Sequence, residues 1–388
     1  MADYAITKPV SNSVFLTHYS SKAFPYAWLL AVPLNLTAVA LYNRLIVKLG
    51  CFQLFCWISA ITVIINTISA FWLRSIPGLA FFLYLWKDTY ILLALQQIWS
   101  VVHSSTKMRR AKYFYGILFG IGTFGTSVGG VVSGYLAPVW GSEHLLLMTL
   151  PIYLFLGAAY YWMLKTSALE NPKNPIETPS QKWDDFKLIN KSYALQLILM
   201  TVVLMQLSTT LMEFRFNLLL EAKLPNQDLR TAFSGKFWAV VGIANLTLQF
   251  GVTFLLMELF GLKKSQFFLP SFLLFNVAGC VIHPSFSMVA YAFGAVKIFD
   301  YSTFNIIKEM LYVPLSKEEK FKARALIDVF AYRSSKAVAS LIIILAQAFL
   351  VSQLAYVLTW TVLILYIIWI FGVYIFNKRL EESTIAVN

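Results

Sequence analysis

The stretch FFLYLWKDTYILLALQQIWS, Phe81 to Ser100, is apolar over a membrane-crossing length, yet carries Lys87 and Asp88 near its middle. About 20 helical residues span the hydrocarbon core of a bilayer. A charge at that depth costs roughly 2.5–3.5 kcal/mol on insertion scales, so Lys87 and Asp88 must face each other, water or a charged ligand. The stretch therefore reads as a transmembrane helix with one polar face. Working outward, comparable apolar runs lie at roughly 24–46, 51–73, 78–101, 113–137, 144–164, 193–220, 233–260, 266–283, 285–310, 325–350 and 353–376, which predicts eleven membrane helices. Several of these also hold charges, among them Glu213, Arg215, Lys297, Asp300 and Asp328. Interior charges of this kind mark a polar pathway.

Composition agrees with an all-α, polytopic membrane bundle: 59% of residues are hydrophobic and only 13% are charged. Cys51, Cys56 and Cys280 lie in or beside apolar runs without metal-ligand spacing, and the four histidines are scattered at segment ends. Neither set points to a metal or a disulfide framework. The longest polar interval, Lys165 to Lys191, contains Pro172, Pro175 and Pro179 and reads as a linker. It divides the chain into an N-terminal bundle, 1–164, of five spans and a C-terminal bundle, 192–388, of six. A plan of two six-helix repeats needs one more span ahead of Phe24. Residues 1–22, MADYAITKPVSNSVFLTHYSSK, are polar and read as the outer end of a first span followed by a periplasmic loop; the expected reading is that the chain is incomplete and Met1 is not its physiological start, the alternative a shortened protein that inserts with its N-terminus outside.

Lys and Arg concentrate in alternate loops, including Arg44 with Lys48, the Lys107–Lys112 cluster, Lys263 with Lys264, and Lys378 with Arg379. By the positive-inside rule these loops and the C-terminus are cytoplasmic, which accounts for most of the +13 net charge without a nucleic-acid partner. Tryptophans 28, 72, 140 and 360 fall near expected interfaces, as an aromatic belt requires.

The densest chemistry lies toward the C-terminus. Lys297, Tyr301, Phe304 and Lys308 repeat every three or four residues, on one helical face. Asp300 sits one turn from Lys297 and can neutralise it or share in ligand contact. In the next span Asp328, Tyr332 and Lys336 repeat at four-residue spacing, with Arg333 beside them. Partly desolvated Lys and Arg favour phosphate, and Tyr301 and Tyr332 share these faces as candidate base contacts. Glu213 and Arg215 stand about 200° apart on their helix, so they face different neighbours. The glycines of GIGTFG, Gly120–Gly125, imitate a dinucleotide fingerprint, but that motif requires a strand before it and a phosphate at a helix start. Inside an apolar helix, small residues at four-residue spacing indicate close helix packing.

Three stretches resemble the ATP/ADP translocase family, the nucleotide transporters of plastids and intracellular bacteria: RRAKYFYGILFGIGTFGTSVGGVVSG at Arg109–Gly134, LRTAFSGKFWAVVGI at Leu229–Ile243, and DYSTFNIIKEMLYVPLSKEEKFKARALIDVFAYRSSK at Asp300–Lys336. The resemblance implies a major-facilitator-like fold and ATP/ADP-type exchange by alternating access through a central basic cavity. It also implies a role for Glu213 in the transport cycle. Lys87-Asp88 departs from the family pattern, where an acidic residue is followed by apolar ones. The expected substrate-binding residues are Lys308, Lys297, Arg333, Lys336, Glu213, Tyr301 and Tyr332, with Lys87, Asp88, Asp300 and Asp328 in coupling or gating. The expected partners are a small-molecule anion, a nucleotide first of all, and the lipid bilayer of a bacterial inner membrane; a monomer is expected. No catalytic constellation or cofactor motif occurs, so an enzyme is not expected. The alternatives are a proton-coupled carrier of another phosphorylated or organic anion, with Asp88, Glu213 or Asp328 carrying the proton, and a non-transporting membrane interaction protein.

Overall fold

The computed structural model describes residues 1–105, 108–166, 192–313, 315, 326–327 and 331–385. The described residues form helices joined by short turns: α1 Ala2–Tyr19, α2 Phe24–Leu49, α3 Cys51–Trp72, α4 Pro77–Ser105, α5 Met108–Trp140, α6 Thr149–Thr166, α7 Tyr193–Lys223, α8 Gln227–Thr247, α9 Thr253–Ile282, α10 Phe286–Phe299, α11 Asn305–Tyr312, α12 Tyr332–Phe349 and α13 Leu354–Ile385. Over its described residues, each expected span coincides with helical structure. Among the described residues seven helices are long and apolar enough to cross a membrane. The others contain more small or charged residues, as the polar interior positions demand. From residue 167 onward the expected linker lies outside the described residues.

Two compact units emerge, Met1–Thr178 with Leu224–Ile243, and Pro179–Lys223 with Ala244–Asn388. Most of α8 thus clusters with the helices of the first unit.

In the first unit, the polar N-terminal stretch forms a buried helix. This corrects the reading of residues 1–22 as the end of a span and a loop: α1 packs against α4 and α5. Ile6, Val10 and Val14, one turn apart, enter an apolar cluster with Leu73, Leu83, Leu145 and Leu146. The opposite side of α1 is polar, which is why average hydropathy hides the helix. Pro9 cannot donate to the Ala5 carbonyl one turn back; the Ser133 hydroxyl of α5 reaches that carbonyl at 3.5 Å. Gly129 lets the α5 backbone approach Ala2 and Ala5 of α1, while Gly130 and Gly134 meet Gly235 and Lys236 of α8. The glycine series is a packing surface, as its spacing indicates. Trp28 corrects the aromatic-belt reading: it is buried, and its indole N–H donates to Tyr84 Oη at 2.7 Å, because a buried indole needs a partner. Trp72, Trp140 and Trp360 are exposed.

In the second unit α7 is buried along most of its length and packs against α10, α12 and α13. π-helical turns interrupt this unit, among them Leu248–Val252 ahead of α9 and Asp300–Phe304 between α10 and α11. The Thr253 and Thr303 hydroxyls join them at 3.0 Å. Such turns insert one extra residue and rotate the side chains beyond it. The expected boundary between spans near residue 260 falls on Gly261, whose φ of 68° suits glycine.

Candidate functional site

The second unit brings Glu213 of α7 to Lys297 of α10. Lys297 Nζ lies 3.4 Å from Glu213 Oε2; Lys297 is buried and Glu213 is partly open, with 12% of its side chain exposed. The ammonium is also 5.6 Å from the Phe293 ring centroid and 5.8 Å from that of Tyr301, so an aromatic wall limits its solvation. Asp300, one turn away in the π-helical segment, is buried as well and accepts from Gln206 Nε2 of α7 at 3.4 Å. Gln206 gave no signal in the sequence because an amide in an apolar helix matches no motif. Arg215 faces elsewhere, as its angular offset from Glu213 requires: Nη2 lies 3.5 Å from the Cys280 carbonyl in the last turn of α9, where a cation suits the helix dipole.

Around the pair, Tyr301 and Tyr332 are exposed, and Lys308, Arg333 and Lys336 are partly exposed. Pairing neutralises Lys297 at rest, whereas the cations of α11 and α12 remain accessible to an anion. Asp328 lies outside the described residues.

A second polar cluster occupies the first unit. Lys87 Nζ of α4 is 3.0 Å from Asp88 Oδ2 and 4.0 Å from the Tyr84 ring centroid. Tyr4 Oη of α1 donates to Asp88 Oδ1 at 2.9 Å, and Lys8 Nζ sits 3.6 Å over the Trp238 ring. The charge pair in Phe81–Ser100 is thus tied to α1 through Tyr4, and α1 to α8 through Lys8. Tyr4 and Lys8 were missed because residues 1–22 did not read as a helix, and Trp238 because its cation, Lys8, lies on that helix.

A third network lies in the inter-helix loops. Arg74 donates to both Glu143 oxygens, at 2.9 and 3.2 Å, and Gln227 donates to Glu143 Oε1 at 2.8 Å. Burial pushes the Glu143 carboxyl up, but the hydrogen bonds from Arg74 and Gln227 outweigh it and hold the group below its ordinary value. A carboxylate with a lower folded than unfolded pKa stabilises the fold above the unfolded value, and loses that effect as pH falls through the folded one. Thermal melting should therefore fall more steeply with acidification, from pH 6 toward pH 3, in the wild type than in Glu143→Gln. Arg74 is largely exposed, which keeps the difference to about 1 kcal/mol.

The helical bundle and its charged interior define a multi-pass membrane protein with a major-facilitator-like fold. The fold is similar to a bacterial homologue of the iron transporter ferroportin in its inward-facing state, with a TM-score of 0.67, 12% identity and 97% of each chain covered. It is also similar to the nucleoside transporter NupG, with a TM-score of 0.56, 13% identity, and 97% of this chain and 98% of that one covered. At such identities the likeness is one of fold.

Within that class, residues 284–380 match the family model of the TLC ATP/ADP transporter. ADP,ATP carrier protein 1 of Chlamydia muridarum is 27% identical over 290 residues, 63% of this chain and 54% of the relative. ADP,ATP carrier protein 1 of Rickettsia typhi is 25% identical over 325 residues, 73% of this chain and 65% of the relative. The chain spans about half the length of the chlamydial relatives it matches. These matches bear out the resemblance to the ATP/ADP translocase family, and the matched segment holds Lys297, Tyr301, Lys308, Tyr332, Arg333 and Lys336.

Proposed function

We propose that this chain is a transporter of nucleotides, exchanging ATP and ADP by alternating access across a bacterial inner membrane, with its C-terminus in the cytoplasm. The observation that carries this reading is the pair of buried Lys297 with largely enclosed Glu213, beside exposed or partly exposed cations and tyrosines; all but Glu213 lie in the segment similar to ATP/ADP transporters. Lys308, Arg333 and Lys336 attract the phosphates, and Tyr301 and Tyr332 offer faces to the base. An arriving phosphate competes with Glu213 for Lys297. A loaded carrier then balances its cations with substrate, whereas an empty one has to cross with the pair closed or a buried charge exposed, which is unfavourable. That asymmetry gives exchange rather than uniport. The 165–191 interval serves as the cytoplasmic connection between an N-terminal bundle, 1–164, and a C-terminal bundle, 192–388.

Labelled ATP uptake by proteoliposomes tests the reading. Uptake should require internal ADP, and robust uptake into vesicles lacking nucleotide would count against exchange. One observation favours a second reading, proton-coupled anion transport: Asp3 is buried on α1 and its carboxylate accepts from the hydroxyls of Thr7 at 3.3 Å and Tyr153 at 3.1 Å. Burial favours the protonated carboxyl and the two donated hydrogen bonds favour the carboxylate, and such opposed influences suit a group that exchanges a proton. Uptake that follows an imposed pH gradient and ignores internal ADP would select it over exchange.

A further inference from the structure

Helix α1 has two unlike sides. From Asp3 to Leu16 every residue is buried except Tyr4 and Lys8, which are partly open. Asn12 lies one turn beyond Lys8 on the same stripe. It is 9% exposed, and its Oδ1 is buried without a hydrogen-bond partner. Leaving such an acceptor unsatisfied costs about 1–3 kcal/mol, so a donor belongs there. The stripe runs beside Asp88, to which Tyr4 is bonded, and beside the Trp238 ring that carries the Lys8 ammonium. Within the first unit, one stripe therefore carries an aromatic hydroxyl bonded to Asp88, a cation on an aromatic face and an enclosed amide oxygen without a partner.

We propose that Tyr4, Lys8 and Asn12 form a nucleotide subsite in the N-terminal unit, with Lys8 on the phosphates and the Asn12 amide on the base edge carrying an exocyclic amine. The inference rests on the nucleotide-transport reading and extends it to residues outside the segment that matches the family model. An asparagine amide offers an acceptor beside a donor, and adenine presents the complementary donor and acceptor on both its Watson–Crick edge, through N6–H and N1, and its Hoogsteen edge, through N6–H and N7. Lys8 exchanges the Trp238 face for phosphate oxygens, a charge-assisted contact of greater strength. The vacated indole face is then available to the ring of the base. Asp88 keeps Tyr4 and Lys87 fixed, so the stripe is held in place before substrate arrives.

Binding of three ligands to the purified full chain in lipid nanodiscs tests this: ATP, purine riboside triphosphate, which lacks the exocyclic amine, and inorganic tripolyphosphate. Wild type should prefer ATP over purine riboside triphosphate by about tenfold. Asn12→Leu should erase that preference and leave tripolyphosphate affinity intact, which also reports a folded variant. Lys8→Gln should weaken all three by about tenfold. The subsite is overturned if wild type binds ATP and purine riboside triphosphate equally, if a folded Asn12→Leu keeps the preference, or if Lys8→Gln matches wild type. Should wild type bind tripolyphosphate and no nucleotide, the nucleotide reading itself fails and the base contact with it; nucleotide binding without the amine preference removes the subsite alone.

Discussion

Replacing Lys297 by methionine should reduce ATP/ADP exchange by at least about 100-fold and lower stability by about 3–5 kcal/mol, because Glu213 is left largely enclosed without its cation. Both effects come from one pair, 3.4 Å apart, and they can be separated. The double variant Lys297→Met with Glu213→Met removes both charges and preserves apolar volume. Replacement of a whole buried pair in this way is often neutral for stability or better. Thermal melting of the double variant should return close to wild type, and exchange in proteoliposomes should stay lost. Exchange at wild-type rates in the double variant would show that the pair only supports the fold. Recovery of neither would mean that methionine cannot pack among Phe293, Tyr301 and α7, and the isosteric Glu213→Gln would then carry the test.

The membrane fold was legible because its cause is local. A run such as Phe81–Ser100 states its own environment: apolar length sets the helix, and Lys87 and Asp88 state that one side is polar. Helix α1 was not legible by that route. Its apolar residues, Ala5, Ile6, Val10, Val14, Phe15 and Leu16, alternate with buried polar ones such as Asp3, Thr7, Ser11, Asn12 and Ser13 that meet other parts of the unit. Averaging along the sequence cancels the two kinds of residue, whereas the four-residue spacing of Ile6, Val10 and Val14 survives it. The glycines of α5 were readable as a packing surface, since a missing side chain in a membrane helix has few other uses.

Partner choice was less legible than position. Lys297 has Asp300 one turn away in sequence, yet the structure joins it to Glu213 from another helix, and Asp300 takes Gln206. The π-helical turn at Asp300–Phe304 explains why local spacing misleads there, since an extra residue rotates the next side chains out of simple helical register. Nothing in the sequence near Asp300 announces that turn. The cations of α11 and α12 stand out in the sequence by their spacing, and Lys308, Arg333 and Lys336 are partly exposed.

The contact between α5 and α8 in the first unit yields the other large expected effect. A Cβ on Gly235 would meet the Gly134 backbone nitrogen at 2.5 Å and the Gly130 carbonyl at 2.8 Å, and it would also strike the Ser133 hydroxyl. Two of these obstacles are main chain, so no rotamer change relieves them. Gly235→Val should therefore destabilise by about 3 kcal/mol or more, seen as a fall in the melting temperature of detergent-solubilised protein on the order of 5 °C. The comparison that gives this meaning is Gly157→Ala in α6, where an added methyl meets nothing within 4 Å. There the loss of glycine flexibility should stabilise by about 0.5–1 kcal/mol. The two substitutions add apolar atoms to glycines in helices of the same unit and differ chiefly in what the new atoms meet. Opposite signs would show that close backbone approach, rather than glycine content as such, holds α8 to α5, and similar melting temperatures for both variants would refute it.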